Sequence, residues 1–136
     1  MQRTLLIIKP DAVQARRLGD ILKLVVDAGF EIRAMRMTRL TREQAARFYA
    51  VHEGKPFYQP LQEFMTSGKI VLVALERENA VARLREVLGA TDPAKAAPGT
   101  IRALYGSSSE RNAAHGSDSV ENGEIETAFF FGEMEF

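Results

Sequence analysis

IVLVALE, residues 70 to 76, holds the longest apolar run in the chain, and its reading decides the fold. Six consecutive apolar residues closed by a glutamate read as a strand at the centre of a sheet. Working outward, RTLLIIK (3 to 9) is a second buried strand, stopped by Pro10. FEIRAMRMTRL (30 to 40) alternates, with Ile32, Ala34, Met35 and Met37 against Arg33, Arg36 and Arg39, and reads as a half-exposed strand. Helical spacing fills the gaps. Leu18, Ile21, Leu22, Val25 and Val26 share one face, and Gly29 follows where a left-handed C-cap belongs. Thr41 and Gln44 form a capping box that opens REQAARFYAVH, a second helix covers Pro60 to Thr66, and ENAVARLREVLG ends at Gly89. From Ala90 to Ser119 periodicity disappears into Pro, Gly, Ser, Ala and Asn, leaving room for one weak helical turn. A stretch that long inside a compact chain reads as a functional loop. TAFFFGEMEF (127 to 136) is expected to be one more strand completing the core. The order β-α-β-α-β-α-loop-β predicts an α+β sandwich, an antiparallel sheet with helices on one face, and no internal repeat.

Composition bounds what such a chain does. Its 136 residues are expected to form one domain, and 46% apolar with 26% charged residues is the composition of a soluble globular protein. Eighteen basic residues cancel eighteen acidic ones, so no net field draws it to nucleic acid or to an anionic membrane. The charges are uneven, however. Met1 to Arg47 carry ten Lys and Arg against five acids, while six acids and no Lys or Arg follow Arg111, a pattern suited to internal or intersubunit pairing. The absence of cysteine excludes disulfides, thiolate metal sites and thiol catalysis, and points to the cytoplasm. Only four consecutive apolar residues precede Lys9, too few for a signal-peptide core of about 7 to 15, and no run approaches the roughly 20 that span a bilayer.

Neither G-x-x-x-x-G-K-[ST] nor G-x-G-x-x-G occurs, and no G-x-S-x-G elbow is present. His52 and His115 stand 63 residues apart, which gives little support to a histidine metal cluster. What remains is His115, within RNAAHGSDS (111 to 119), and cations at element ends: Lys9 after the first strand, Arg85 in the helix before Gly89, and Arg102 in PGTIR. Each taken alone also reads as an ordinary surface residue. Together they border one loop that holds a histidine, and a largely neutral imidazole at cytoplasmic pH is a nucleophile toward phosphorus. Gly116 leaves room beside the ring, and Ser117 with Glu126 can hold it in one tautomer.

NAAHGSDS resembles the N-x-x-H-G-S-D signature of nucleoside diphosphate kinases, and TLLIIKPDAV resembles that family's opening strand and Lys-Pro-Asp turn. FY-x-x-H-x-x-x-PF (48 to 57), GATDPAKAAPGTIR (89 to 102) and the closing run Glu126 to Phe131 are similar to it in the same order. The resemblance implies a ferredoxin-like fold, with a four-stranded antiparallel sheet covered by helices. It also implies ping-pong transfer of a γ-phosphoryl group from a nucleoside triphosphate to a nucleoside diphosphate through a phosphohistidine. Under it His115 is phosphorylated with support from Glu126 and Ser117, and Lys9, Arg85, Thr91 and Arg102 hold phosphate oxygens. Tyr49 lies beside the histidine, Asn112 and Lys9 reach the sugar hydroxyls, and Phe57 stacks on any base. Magnesium arrives with the nucleotide phosphates and has no cage of its own. The partners are nucleoside di- and triphosphates, with a homo-oligomer built from dimers, either tetramer or hexamer. Three positions depart from the pattern: Lys69 where proline is usual, Leu104 where aspartate is common, and Ser109 where an aliphatic residue covers the base. A nucleotide sensor without turnover, and a phosphate carrier fed by a partner protein, are the alternative readings.

Overall fold

The computed structural model describes residues 1 to 132. In chain order it contains β1 (Gln2–Ile8), α1 (Pro10–Gln14), α2 (Leu18–Asp27), β2 (Glu31–Thr38), α3 (Arg42–Phe48), α4 (Tyr58–Met65), β3 (Ile70–Arg77), α5 (Ala80–Leu88), α6 (Ile101–Tyr105), β4 (Ala114–Gly116) and α7 (Val120–Phe130). Short 3₁₀ turns lie at Ala50–His52 and Pro93–Lys95. The four strands pair antiparallel in the order β2-β3-β1-β4, the ferredoxin-like arrangement.

The apolar run of β3 is explained by burial on both faces. Val71, Val73 and Leu75 enter one core layer with Leu6 and Ile8 of β1, while Ile70, Leu72 and Ala74 enter the other with Leu5 and Ile7. Ile21 and Val25 of α2, Leu84 and Leu88 of α5 and Ile101 of α6 cover the first layer. Leu40, Ala45, Tyr49, Phe64, Met65 and Phe131 cover the second. Helices therefore lie on both faces of the sheet, not on one as the element order suggests. Each fully buried Leu or Ile contributes roughly 1.5 to 3 kcal/mol, so the two strands common to both layers dominate stability.

Helix ends follow the sequence signals. Thr41 N–H donates to Gln44 Oε1 at 2.9 Å and Gln44 N–H to Thr41 Oγ1 at 3.1 Å, completing the capping box. Gly29 and Gly89 both take positive φ, 89° and 86°. At Gly89 a Cβ would also stand 2.5 Å from Thr100 Oγ1, so glycine is required there twice over.

Two expectations fail near the C-terminus. The stretch from Ala90 to Ser119 holds more than the one weak helical turn expected of it: a 3₁₀ turn, α6 and the last strand, β4. At three residues, Ala-His-Gly, β4 is too short to show periodicity, and it exists because β1 offers a free edge from Leu6 to Ile8. The expected strand at 127 to 136 is instead the end of α7 up to Phe130, with residues 133 to 136 outside the described residues. Three phenylalanines favour a strand locally, but Ser119 caps the helix by accepting the Asn122 N–H, and Gly123 lets it touch β1. A Cβ on Gly123 would lie 2.2 Å from the Arg3 carbonyl oxygen.

Candidate active site

Strand β4 sets His115 opposite Ile7 at the edge of the sheet, so the backbone is fixed while the ring reaches a cavity of about 830 Å³. The side chain is 22% exposed. Its Nε2 lies 2.9 Å from Glu126 Oε1, and Ser117 Oγ donates to that same oxygen at 2.7 Å. Ser117 is fully buried, and its Oγ accepts the Leu5 N–H at 3.0 Å. A backbone amide of β1 thus anchors the hydroxyl, the hydroxyl anchors the carboxylate, and the carboxylate holds the ring. With a proton on Nε2 directed to Glu126, the lone pair sits on Nδ1. Phe48 presses the ring at 6.0 Å and 73°, an edge contact that limits its rotation.

Gly116 lines the cavity beside His115 and also has a packing reason. A Cβ there would meet Leu88 Cδ1 at 2.7 Å and Leu84 Cδ2 at 3.0 Å, so glycine lets α5 lie against β4.

The segment before the strand is strained. Ala113 takes φ 77°, and the Ala114 N–H bonds back to the Asn112 carbonyl at 3.0 Å, forming a γ-turn with a left-handed centre. For a non-glycine residue this costs about 1 to 3 kcal/mol and persists only when surrounding contacts impose it. Here the Ala113 N–H donates to Asp11 Oδ2 at 3.0 Å and its carbonyl accepts the Lys9 N–H at 2.9 Å.

The cations converge on this frame. Arg102 donates through Nη1 to the Gly89 carbonyl at 3.0 Å and through Nη2 to the Ala114 carbonyl at 2.9 Å, tying α5 to β4. Burial, followed by the neighbouring Arg85 charge, lowers its pKa to about 10. Lys9 is 8% exposed, and its Nζ donates to Asn112 Oδ1 at 2.7 Å. Burial and then Arg102 pull it down to about 8, against Asp11 and Glu110. Asn112 in turn donates to the Thr91 carbonyl at 3.0 Å. Tyr49 is buried, and burial with the Glu126 charge pushes its phenol upward, which keeps it neutral.

Of the residues singled out in the sequence, Tyr49, Arg85, Thr91, Arg102, His115 and Glu126 line one cavity. Ser117, Lys9 and Asn112 stand just behind its wall, joined to it by the hydrogen bonds given above. Phe57 does not line it: the ring is exposed, and it reaches the cavity only through His52, a lining residue 5.0 Å away. Sequence reasoning missed Phe48, His52 and Asp118 as wall residues and Asp11 as a backbone clamp. Phe48 and His52 belong to the F-Y-x-x-H motif and were findable there. No local signal connects Asp11 to residue 113.

Among the described residues no group of three His, Cys, Asp or Glu side chains can enclose a metal ion. The carboxylates facing the cavity besides Glu126 are Glu86 and Asp118. This donor set suits a hydrated magnesium ion that brings phosphate and water ligands with it, not a caged one. No described helix is long and apolar enough to cross a membrane.

The fold and the site together define a class: an α+β sandwich whose carboxylate-held histidine opens on a cation-lined cavity suited to phosphorylated ligands. The family model for nucleoside diphosphate kinase matches residues 2–136. A nucleoside diphosphate kinase of Chloroherpeton thalassium is 56% identical, covering 99% of this chain and 96% of its own, and one of Chlamydia abortus is 52% identical over the same shares. Among solved structures, the Aquifex aeolicus nucleoside diphosphate kinase has TM-score 0.96 at 46% identity, covering 99% of this chain and 98% of that one. A Halobacterium salinarum nucleoside diphosphate kinase in complex with CDP has TM-score 0.95 at 39% identity, covering 98% and 90%. The chain belongs to the nucleoside diphosphate kinase family. It is accordingly an enzyme, a nucleotide-binding phosphotransferase.

Proposed function

We propose that the chain transfers the γ-phosphoryl group of a nucleoside triphosphate to a nucleoside diphosphate by a ping-pong route through a phosphohistidine at His115. The observation that carries the reading is the shared Glu126 oxygen, which directs the Nε2 proton and leaves Nδ1 as the nucleophile. The Nδ1 lone pair attacks the γ-phosphorus, the bond to the β-phosphate oxygen breaks, and the diphosphate departs with that electron pair. A second diphosphate then attacks the phosphorus through its terminal oxygen, and the N–P electrons return to the imidazole. Atoms and charge balance without a lasting proton transfer.

Arg85, Arg102, Thr91 and Lys9 offset phosphate charge during transfer, which a dry, preorganised wall does more effectively than water. Tyr49, kept neutral, donates beside the ring. Lys9 and Asn112 meet the sugar hydroxyls, and Phe57, exposed and set against His52 of the cavity wall, stacks on the base, a contact of roughly 1 to 3 kcal/mol that any base can make. Broad base and sugar tolerance follows. When bound, magnesium would neutralise phosphate oxygens, with Asp118 and Glu86 the cavity-wall carboxylates available to its water shell.

The protein works as a homo-oligomer built from dimers. Strand β2, at the sheet edge, exposes Ile32, Met35 and Met37, apolar surface suited to a second copy, and light scattering decides between tetramer and hexamer. A chain without cysteine needs no oxidising compartment, in keeping with work in the cytoplasm. Initial rates measured over a matrix of donor and acceptor concentrations test the mechanism. Parallel double-reciprocal lines with several bases support it, and intersecting lines, or binding without turnover as in a nucleotide sensor, contradict it.

A further inference from the structure

We infer that Asp11 is a positioning residue for phosphoryl transfer, fixing the γ-turn that sets β4 and the His115 ring; the inference rests on the phosphohistidine reading above. Asp11 stands in the first turn of α1, where an acid ordinarily serves its own helix. Its hydrogen bond goes elsewhere: α1 has no side-chain cap bond, and Asp11 Oδ2 accepts the Ala113 N–H, 102 residues away, at 3.0 Å. Its second oxygen, Oδ1, is buried and has no hydrogen-bond partner among the described residues.

The position clamped is the one that needs it. Ala113 is left-handed at φ 77° and its methyl is fully buried, so neither its own preference nor solvent holds the turn. The turn is gripped on both sides by one short segment, Asp11 on the N–H and the Lys9 amide on the carbonyl. The next carbonyl, that of Ala114, receives Arg102, and His115 follows. One segment, Lys9-Pro10-Asp11, therefore supplies a buried ammonium and registers it against the histidine strand, with Pro10 fixing the spacing between them. Loss of the Asp11 bond leaves Ala113 free to relax toward negative φ, which moves β4 and the ring while leaving the outer nucleotide contacts in place.

The test compares the wild type with Asp11→Ala, Asp11→Asn and the double variant Asp11→Ala/Ala113→Gly, using single-turnover labelling from γ-labelled ATP. Asp11→Ala is expected to slow labelling about 10- to 100-fold, as an ångström-scale misplacement does. Its nucleotide KM should change less than about threefold. Asparagine, which offers an amide oxygen to the same N–H, restores most of the rate. Glycine at 113 adopts positive φ unaided and restores part of it in the alanine background, which a merely structural aspartate would not allow. Labelling of Asp11→Ala at the wild-type rate, or a double variant no faster than Asp11→Ala, overturns the inference. Should Asp11→Ala fail to fold, the asparagine and double variants carry the same comparison. A wild type that takes no label refutes the phosphohistidine reading instead. The His115 imidazole NMR signals then decide the positioning claim alone: displaced in Asp11→Ala and returned by Ala113→Gly if it holds, unmoved if it does not.

Discussion

Oε1 of Glu126 serves two residues at once, His115 Nε2 at 2.9 Å and Ser117 Oγ at 2.7 Å, so one oxygen sets both the tautomer and the orientation of the ring. Glu126→Gln keeps the size but removes the charge that fixes the proton on Nε2. The expected result is a fall in kcat of about 10- to 1000-fold with little change in KM, the pattern of a tautomer-setting group. Steady-state kinetics checks it; an unchanged kcat with a raised KM would contradict the role.

Ser117 links the site to the sheet. Replacing it with alanine leaves the Leu5 N–H of β1 unpaired in a fully buried position, which costs about 1 to 3 kcal/mol. Thermal unfolding should therefore drop by about 3 to 10 °C, with a smaller loss of kcat than in Glu126→Gln, because the Glu126 contact to the ring survives. No change in melting temperature would show that the amide finds another partner.

Gly123→Ala places a methyl 2.2 Å from the Arg3 carbonyl oxygen, where neither backbone can yield without separating α7 from β1. Glu126 rides on the same helix, one turn later. The variant is expected to lose more than about 2 kcal/mol of stability and most of its activity together. Denaturant unfolding with parallel assays tests this, and an active, equally stable variant would mean that α7 sits further from β1.

Lys9 makes both stability and nucleotide affinity depend on pH. Its folded pKa is about 8 against 10.5 when unfolded, chiefly through burial and then Arg102, with Asp11 and Glu110 opposing. Between those values the unfolded chain binds the extra proton, so stability rises with pH across this window, and the burial penalty is fully present below it. Lys9→Met should thus stabilise the nucleotide-free protein at pH 7 by up to about 3 kcal/mol, less the lost Asn112 bond, the gain fading as pH approaches 10.5. Wild-type nucleotide affinity should weaken above about pH 8 as the ammonium loses its charge, while the variant stays weak and flat. A pH-independent stability difference would contradict the buried ammonium.

The sheet centre was legible because β3 and β1 are buried on both faces, which leaves an unbroken apolar run with no competing interpretation. Helix ends were legible where one residue carries the signal, as at Thr41 and Gly89. The C-terminal third was not. Strand β4 is three residues held by β1's free edge, and α7 has apolar residues around its circumference, with Ile125 and Phe129 exposed and Phe131 beyond its end buried. The residue types of the site stood out in the sequence as His, Lys and Arg at element ends. Its joinery did not, because the Ser117–Leu5, Asp11–Ala113 and Arg102–Ala114 bonds pair side chains with distant backbone groups, which no spacing rule encodes.

An imidazole at His115 that carries the phosphoryl group between two nucleotides must pass through a covalent phosphoenzyme, which labelling detects. Wild type and His115→Ala are incubated with γ-labelled ATP and magnesium, then chased with GDP. Acid-labile label is expected on the wild type alone, about one per chain, discharged by GDP as labelled GTP. Label retained by His115→Ala, or wild-type protein that binds ATP and turns it over without ever becoming labelled, would contradict it.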